Sequence, residues 1–434
     1  MWRVANSLIS LRQFSQHPVG NPGTESNARP HLIQSRQLYK ASCQILFGAL
    51  GLAFLLVLLE ILTRVADYSV FGAPLFLNYN EASLYTTDAL GSRGRPFARY
   101  LKWQLNSLGF RGPEVQQGRI NIICIGSSET FGLYEAPEQE FPRQLERMLN
   151  KAIGEEVYQV INVALPGETL GSSRLRIPEM ARNLRPSYAV IYPSVSYYTW
   201  IPWAVRKKPT EVVSTTKPQA PFEWRISGRF TEEAKKIVPT GLQNWLREIE
   251  IRRKARQYVT MKHVPDEHVK ALKTDLDELV GELQLQGIRP VLVTHANRFA
   301  LMPEEKDRYW LTAMRKLYPM LEEDGFIDME RRMNIGVRET AAEKGIPLID
   351  IAAEMPRGEK YFSDFEHFTT LGAQVMAEKL AAGLLPVFSS NANPRKVSVD
   401  SSASHFGGPG NRSTLPASPT ESSEFAGRAS PDGD

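Results

Sequence analysis

Cysteine is almost missing from this 434-residue chain, where only Cys43 and Cys124 occur. One stands beside an apolar run and the other inside an expected core strand. A disulfide framework and a cysteine-rich metal site are therefore excluded, and no cofactor is implied. Charge of one sign is also lacking. Lys and Arg number 52 against 48 Asp and Glu, and the net +4 is too small and dispersed to suggest a nucleic-acid partner. Long hydrophobic runs are absent with one exception, which excludes a multi-span membrane protein. No internal repeat occurs at a solenoid period. What remains, 42% hydrophobic and 23% charged, has the proportions of one large globular domain with appendages.

The exception runs from Ile45 to Leu59 (ILFGALGLAFLLVLL), carries no charge, and continues past Glu60 to Leu62. With Cys43 and Gln44 it offers about twenty residues, enough to cross a bilayer core as a helix. The reading is a transmembrane helix over residues 42–65, with Glu60 at the far interface, where a carboxylate costs less than at the midplane. Arg3, Arg12, Arg29, Arg36 and Lys40 precede it against the single acid Glu25, whereas Arg64, Asp67 and Glu81 nearly cancel after it. The positive-inside rule then places the N-terminus in the cytoplasm and the long C-terminal portion outside, in the periplasm or its equivalent. A buried core helix is the alternative, but the run is too long and too uniformly apolar for one. A cleaved signal peptide does not fit, because the positive region is over forty residues long and no small-x-small site follows. Nor is Cys43 a lipoprotein cysteine, since it precedes the apolar stretch.

Residues 1–41 and 389–434 are rich in small and polar residues, the latter with 11 Ser, 5 Gly and 5 Pro, and both read as disordered tails. Residues 66–114 read as a connecting segment. From 115 to 388 short apolar strands alternate with amphipathic helices. Ile120–Ile125 is apolar but for Asn121 and is broken by Gly126, as a central strand covered on both faces would be. Helices are expected at 141–153, at 170–184 with an interruption at Pro178, and at 266–286, 328–343 and 371–385. Further strands are expected at 157–164, 188–192, 291–294 and 347–351. This β-α alternation predicts a doubly wound parallel sheet, which gathers ligands beyond the carboxyl ends of its strands. Residues 200–264 break the alternation. Their basic run Arg252, Arg253, Lys254 and Arg256 reads as a lid, a contact for anionic lipid or polysaccharide, or a solvated basic helix.

The first expected strand ends in Gly126-Ser127-Ser128-Glu129-Thr130-Phe131-Gly132. A serine in such a turn meets substrate and lies near backbone amides that can hold an oxyanion, although turn formers and helix caps occupy the same place. The G-x-S-x-G elbow is not matched, because Thr130 replaces its last glycine. Near the domain's other end stands Ser363-Asp364-Phe365-Glu366-His367, just before the last helix. There a tight turn lets Asp364 hold one imidazole nitrogen of His367 and leave the other free to accept a proton; a capped helix start with an incidental histidine has the same pattern. His295, at the end of the fourth strand, faces the same crevice as a substrate contact or a turn histidine. Tyr197, Tyr198, Trp200 and Trp203 suit sugar rings or core packing equally.

Together these segments resemble the SGNH (GDSL-type) hydrolases over about residues 106–387. The resemblance rests on Gly126-Ser127-Ser128-x-Thr130-x-Gly132, on Gly167 after the second strand, and on Asp364-x-x-His367. Asn106–Glu114 (NSLGFRGPE) is similar to the segment before the first strand in membrane-anchored bacterial members, and Asn334 and Leu348–Ala352 are similar too. It implies a flavodoxin-like three-layer α/β/α domain, Ser128 as nucleophile, His367 as base, Asp364 as its orienting carboxylate, and the Gly167 amide in the oxyanion hole. Two positions depart. Ser127 replaces the family's aspartate, and Tyr192-Pro193-Ser194-Val195-Ser196-Tyr197 replaces a Gly-x-Asn block whose asparagine donates to the oxyanion. Ser196 or Asn297 would have to stand in; loss of one such donor costs about 2.7–4 kcal/mol. The expectation is an envelope-facing serine esterase or acyl transferase acting on an ester-bearing small molecule, lipid or acylated glycan. The rival is a binding protein that has kept the pocket and lost the chemistry while taking part in envelope polysaccharide modification.

Overall fold

Helix propagation decides the N-terminal element, and it runs further in both directions than its hydrophobicity suggests. The computed structural model describes residues 29–199, 223–299 and 307–390. The tails expected at 1–28 and 391–434, and Trp200 and Trp203, lie outside the described residues. One helix spans Arg29–Phe71, so residues 29–41 of the expected tail are helical and the end moves from 65 to 71. Pro30 stands in its first turn, where a missing N–H costs nothing, and Gly72 ends it at φ +67°. Between them no proline interrupts the ladder. Its Tyr39–Phe71 portion is long and apolar enough to cross a membrane.

The connecting segment folds into two small antiparallel hairpins that the sequence reading missed. They are β1 (Tyr85–Asp88) with β2 (Gly91–Gly94) and β3 (Arg99–Tyr100) with β4 (Trp103–Gln104). Next come the strands of the main sheet: β5 (Ile120–Ile125), β6 (Tyr158–Asn162), β7 (Tyr188–Ile191), β8 (Arg289–Val293) and β9 (Leu348–Ile349). All pair in parallel in the order β6-β5-β7-β8-β9, the doubly wound arrangement, with the order reversing at β5.

Alternation along β5 sets the two cores. Ile123 and Ile125 face the helices Leu170–Leu184, Asp266–Leu285 and Glu323–Lys344 through Ile177, Leu276, Met333 and their neighbours. Ile122 and Cys124 face Phe141–Ile153 and Thr370–Ser390 through Leu145, Leu149, Met376 and Leu380. The Thr370–Ser390 helix also has the length and composition of a membrane span, yet it lays Ala373, Ala377 and Leu384 on the sheet. Pro178 does not interrupt its helix, which runs unbroken from Leu170 to Leu184. Pro290 lies inside β8, one residue earlier than the strand start expected from it. Within 200–264, described helices cover Arg225–Ile237 and Thr240–Ala255, the second packed along Arg308–Leu317.

Candidate active site

The turn after β5 is tight because it has to be. A Cβ on Gly126 would come within 2.1 Å of Thr130 Oγ1 and 2.8 Å of the Tyr192 carbonyl, so only glycine lets the chain leave the strand beside β7. A single helical turn, Ser128–Phe131, follows and ends at Gly132 with φ +88°. The NSLGFRG segment braces this turn from outside. Asn106 Oδ1 accepts the amides of Leu108 and Phe110 at 3.0 Å each, which aims Arg111 inward. The Arg111 guanidinium donates to the Phe131 and Gly132 carbonyls and pairs with Glu140 at 3.3 Å. The last four carbonyls of so short a helix have few partners of their own, and a buried arginine supplies one.

Against this turn comes the loop before the last helix. His367 Nε2 lies 2.8 Å from Ser128 Oγ, and His367 Nδ1 lies 2.8 Å from Asp364 Oδ2. Asp364 Oδ1 accepts the backbone amides of Glu366 and His367 at 3.0 and 2.9 Å, which locks the carboxylate against its own loop. All three side chains are nearly buried, with Ser128 6% exposed. Tyr134 stands edge-on to the imidazole, ring centroids 5.5 Å apart. Burial works to lower the His367 imidazole, but the Asp364 carboxylate, with Glu366 and Glu129 behind it, raises it to about 9. Burial works to raise Asp364, and its bonds to His367 hold it below the usual carboxylate range.

Ser128 has a second polar neighbour that sequence reasoning passed over. Glu129 Oε2 lies 3.2 Å from Ser128 Oγ. Behind Glu129 a second buried imidazole repeats the pattern: His295 Nε2 is 3.3 Å from Glu129 Oε1, and His295 Nδ1 is 3.2 Å from Glu330 Oε2. Asn334 clamps the His295 backbone, its amide accepting from N and donating to O at 2.8 Å each, and Tyr192 stacks on the ring. Burial works to lower His295, but its two carboxylates raise it to about 10. The resulting imidazolium holds Glu129 ionised against the burial that would raise it. Glu366, buried and facing the Glu129 charge, is pushed up instead. One hydroxyl proton thus faces two acceptors. When His367 is protonated it donates to Ser128 Oγ, and the Ser128 proton turns to Glu129.

Glu129, His295 and Glu366 each bring one donor atom within 4.8 Å of the others, a size that admits a cation. The first two are already bonded to each other, and Glu366 Oε2 is buried without a hydrogen-bond partner.

The expected oxyanion residues separate. Gly167, at φ +82°, donates its amide to Ser127 Oγ at 3.0 Å, so that amide is already engaged. Ser196 is fully buried and joins a hydroxyl chain from Tyr318 (3.0 Å) through Ser194 (3.5 Å) to Glu129 (2.8 Å). Asn297 does not face Ser128. Its amide donates to Glu330 at 2.6 Å and accepts from Phe299 and Arg357, beyond the His295 ring. Its place is dictated by the loop after β8, which turns under that ring. Tyr197 lies closer, its hydroxyl accepting from Oγ of Ser127, the residue before Ser128, at 3.1 Å. Its aromatic ring, not its hydroxyl, was the feature legible in the sequence. Glu129 and Glu366 stood in the quoted motifs, but burial, which gives them their chemistry, is not written in a motif.

None of the known protein-family models matches the chain, and no curated protein does. Among solved structures it is similar to a lipase/acylhydrolase from Enterococcus faecalis, at 14% identity over 62% of this chain and 96% of that one, TM-score 0.37. It is similar to a psychrotrophic esterase from Pseudoalteromonas sp. at 11% identity over 62% and 98%, TM-score 0.32. A GDSL-like lipase from Bacteroides thetaiotaomicron shares 13% identity over 62% and 88%, TM-score 0.30. The chain's own five-stranded parallel sheet, with helices on both faces and the serine turn where the strand order reverses, fits the α/β fold of the SGNH hydrolases.

Proposed function

We propose that the chain is a membrane-anchored serine hydrolase that cleaves or transfers an acyl ester outside the cytoplasm. The observation that carries this is the unbroken relay from Ser128 Oγ through His367 to Asp364, two contacts of 2.8 Å each. Neutral His367 takes the Ser128 proton as Oγ attacks the ester carbonyl. Asp364 fixes the tautomer and stabilises the imidazolium, which then protonates the leaving alkoxide. Water, or a sugar hydroxyl in a transfer reaction, resolves the acyl-enzyme by the same route reversed. On this reading the oxyanion's donors are the Ser128 amide at its helix start and the Tyr197 hydroxyl, which takes the role that asparagine has in the family. The apolar part of the Arg29–Phe71 helix spans the membrane with its N-terminus in the cytoplasm, a topology that the excess of Arg and Lys before the apolar run favours. That topology favours an acylated envelope lipid or glycan as substrate.

The test is fluorophosphonate labelling of the full chain beside Ser128→Ala and His367→Ala, with p-nitrophenyl acetate turnover measured in parallel. We expect labelling and turnover in the parent and in neither variant. A folded parent without serine-dependent labelling overturns the proposal. That outcome would favour a binding protein, the reading that the engaged Gly167 amide and the missing asparagine support.

A further inference from the structure

The end of the long N-terminal helix is built the wrong way round for water. Glu60, Arg64 and Asp67 form one stripe at i, i+4 and i+7, and all three are buried, 4%, 7% and 5% exposed. What buries them is the Arg225–Ile237 helix. Glu60 takes the Arg225 and Ile226 amides at 3.2 and 3.0 Å, so it caps that helix, while Arg64 pairs with it at 2.6 Å. Asp67 pairs with Arg225 at 3.5 Å and with Arg229. Arg64 also donates to the Leu75 and Glu223 carbonyls, and Arg225 to those of Pro74 and Leu77, which ties the chain after the span into the same knot. Glu60, expected at the far membrane interface, has its carboxylate shut inside a helix pair.

The outward surfaces of this knot carry large apolar side chains. Val65 and Tyr68 on the long helix are 47% and 57% exposed, Phe76 and Leu77 after it 89% and 69%, and Phe230 and Ile237 on the covering helix 74% and 82%. Ion pairs inside and large apolar side chains outside are what a lipid environment selects, because there an unpaired charge is expensive and an exposed phenylalanine is not. In water the same patch would be a liability. The position agrees. The uncharged stretch up to Leu59 just reaches the roughly twenty residues a bilayer core needs, and covering the 60/64/67 stripe extends the apolar exterior to Phe71.

We propose that the Arg225–Ile237 helix and the Phe76-Leu77 loop form a collar seated in the acyl-headgroup boundary of the bilayer, ion-paired inward to the N-terminal helix and facing lipid outward. This rests on the reading of that helix as a membrane span. The collar ties the insertion, and through it the sheet domain, to the membrane surface.

The full chain is reconstituted in phosphatidylcholine/phosphatidylglycerol vesicles as single-cysteine variants on a Cys43→Ala, Cys124→Ala background. An environment-sensitive dye is attached at Phe76→Cys, Phe230→Cys, Leu50→Cys within the span, or Lys151→Cys on the far helix, and lipid carrying an acyl-chain quencher is added. Phe76 and Phe230 are too exposed for cysteine there to remove packing, and circular dichroism checks the fold. The proposal expects severalfold quenching at 50, 76 and 230 and none at 151. Quenching at 50 with 76 and 230 behaving like 151 overturns the collar and leaves the span standing. No quenching at 50 overturns the span, and the collar with it.

Discussion

A base raised to about 9 is almost wholly protonated at neutral pH, and this makes the pH dependence of Ser128 acylation a sharp test of the site. The shift from the ordinary imidazole range is worth about 3 kcal/mol, so about one His367 in a hundred is neutral at pH 7. The neutral form is the one that accepts the serine proton. Second-order fluorophosphonate labelling should therefore rise about tenfold per pH unit from 7 and level off near 9, with Ser128→Ala as the blank. Glu129→Gln then probes the cause. Its carboxylate and the imidazole contact the same hydroxyl, at 3.2 and 2.8 Å, and so lie no more than about 6 Å apart, where an effective dielectric near 20 gives about 3 kcal/mol, or two pKa units. Glu129→Gln also removes a carboxylate that keeps His295 protonated, and loss of that positive charge offsets part of the change, so the rising limb should move down by roughly one unit. Because a negative neighbour favours imidazolium, removing it must lower the His367 pKa, and labelling at pH 7 should increase. A parent profile flat from pH 6 to 9 would refute the electrostatic reasoning. So would a variant whose plateau changes while its limb stays in place.

Tyr197→Phe should slow acylation by about a hundred- to thousandfold without changing the pH of the limb, whereas Ser196→Ala should cost far less; equal effects would remove Tyr197 from the oxyanion hole. Asp364→Asn should lower turnover by about ten-thousandfold through loss of the correct tautomer, read in p-nitrophenyl acetate kinetics. His295→Ala leaves Glu129 and Glu330 buried without their cation and should destabilise the fold by about 3–5 kcal/mol in urea titration at pH 7. Gly126→Ala should abolish labelling and lower Tm, because its methyl meets Thr130 and the Tyr192 carbonyl, and neither can give way without moving Ser128.

The amino-acid sequence by itself determined the local and the periodic. The apolar run had to become a helix, the strands alternating with helices had to form a parallel sheet, and a glycine followed by serine after an apolar strand had to make a turn. Those features depend on neighbours within a few residues, so a linear reading reaches them, and even Asp364 and His367 meet across a single turn. The tertiary structure alone decided what depends on distant partners. Glu129 lies next to Ser128 in the chain, yet it becomes an ionised neighbour of the hydroxyl only because His295, 166 residues away, comes up against it in a place without water. Asn297 and Ser196 carry suitable donors, but the loop after β8 and the hydroxyl chain from Tyr318 turn them to other partners. Glu60 looked like a carboxylate reaching for water until a helix more than 160 residues on closed over it. Burial and pairing set the charge a group carries, and both are properties of the fold.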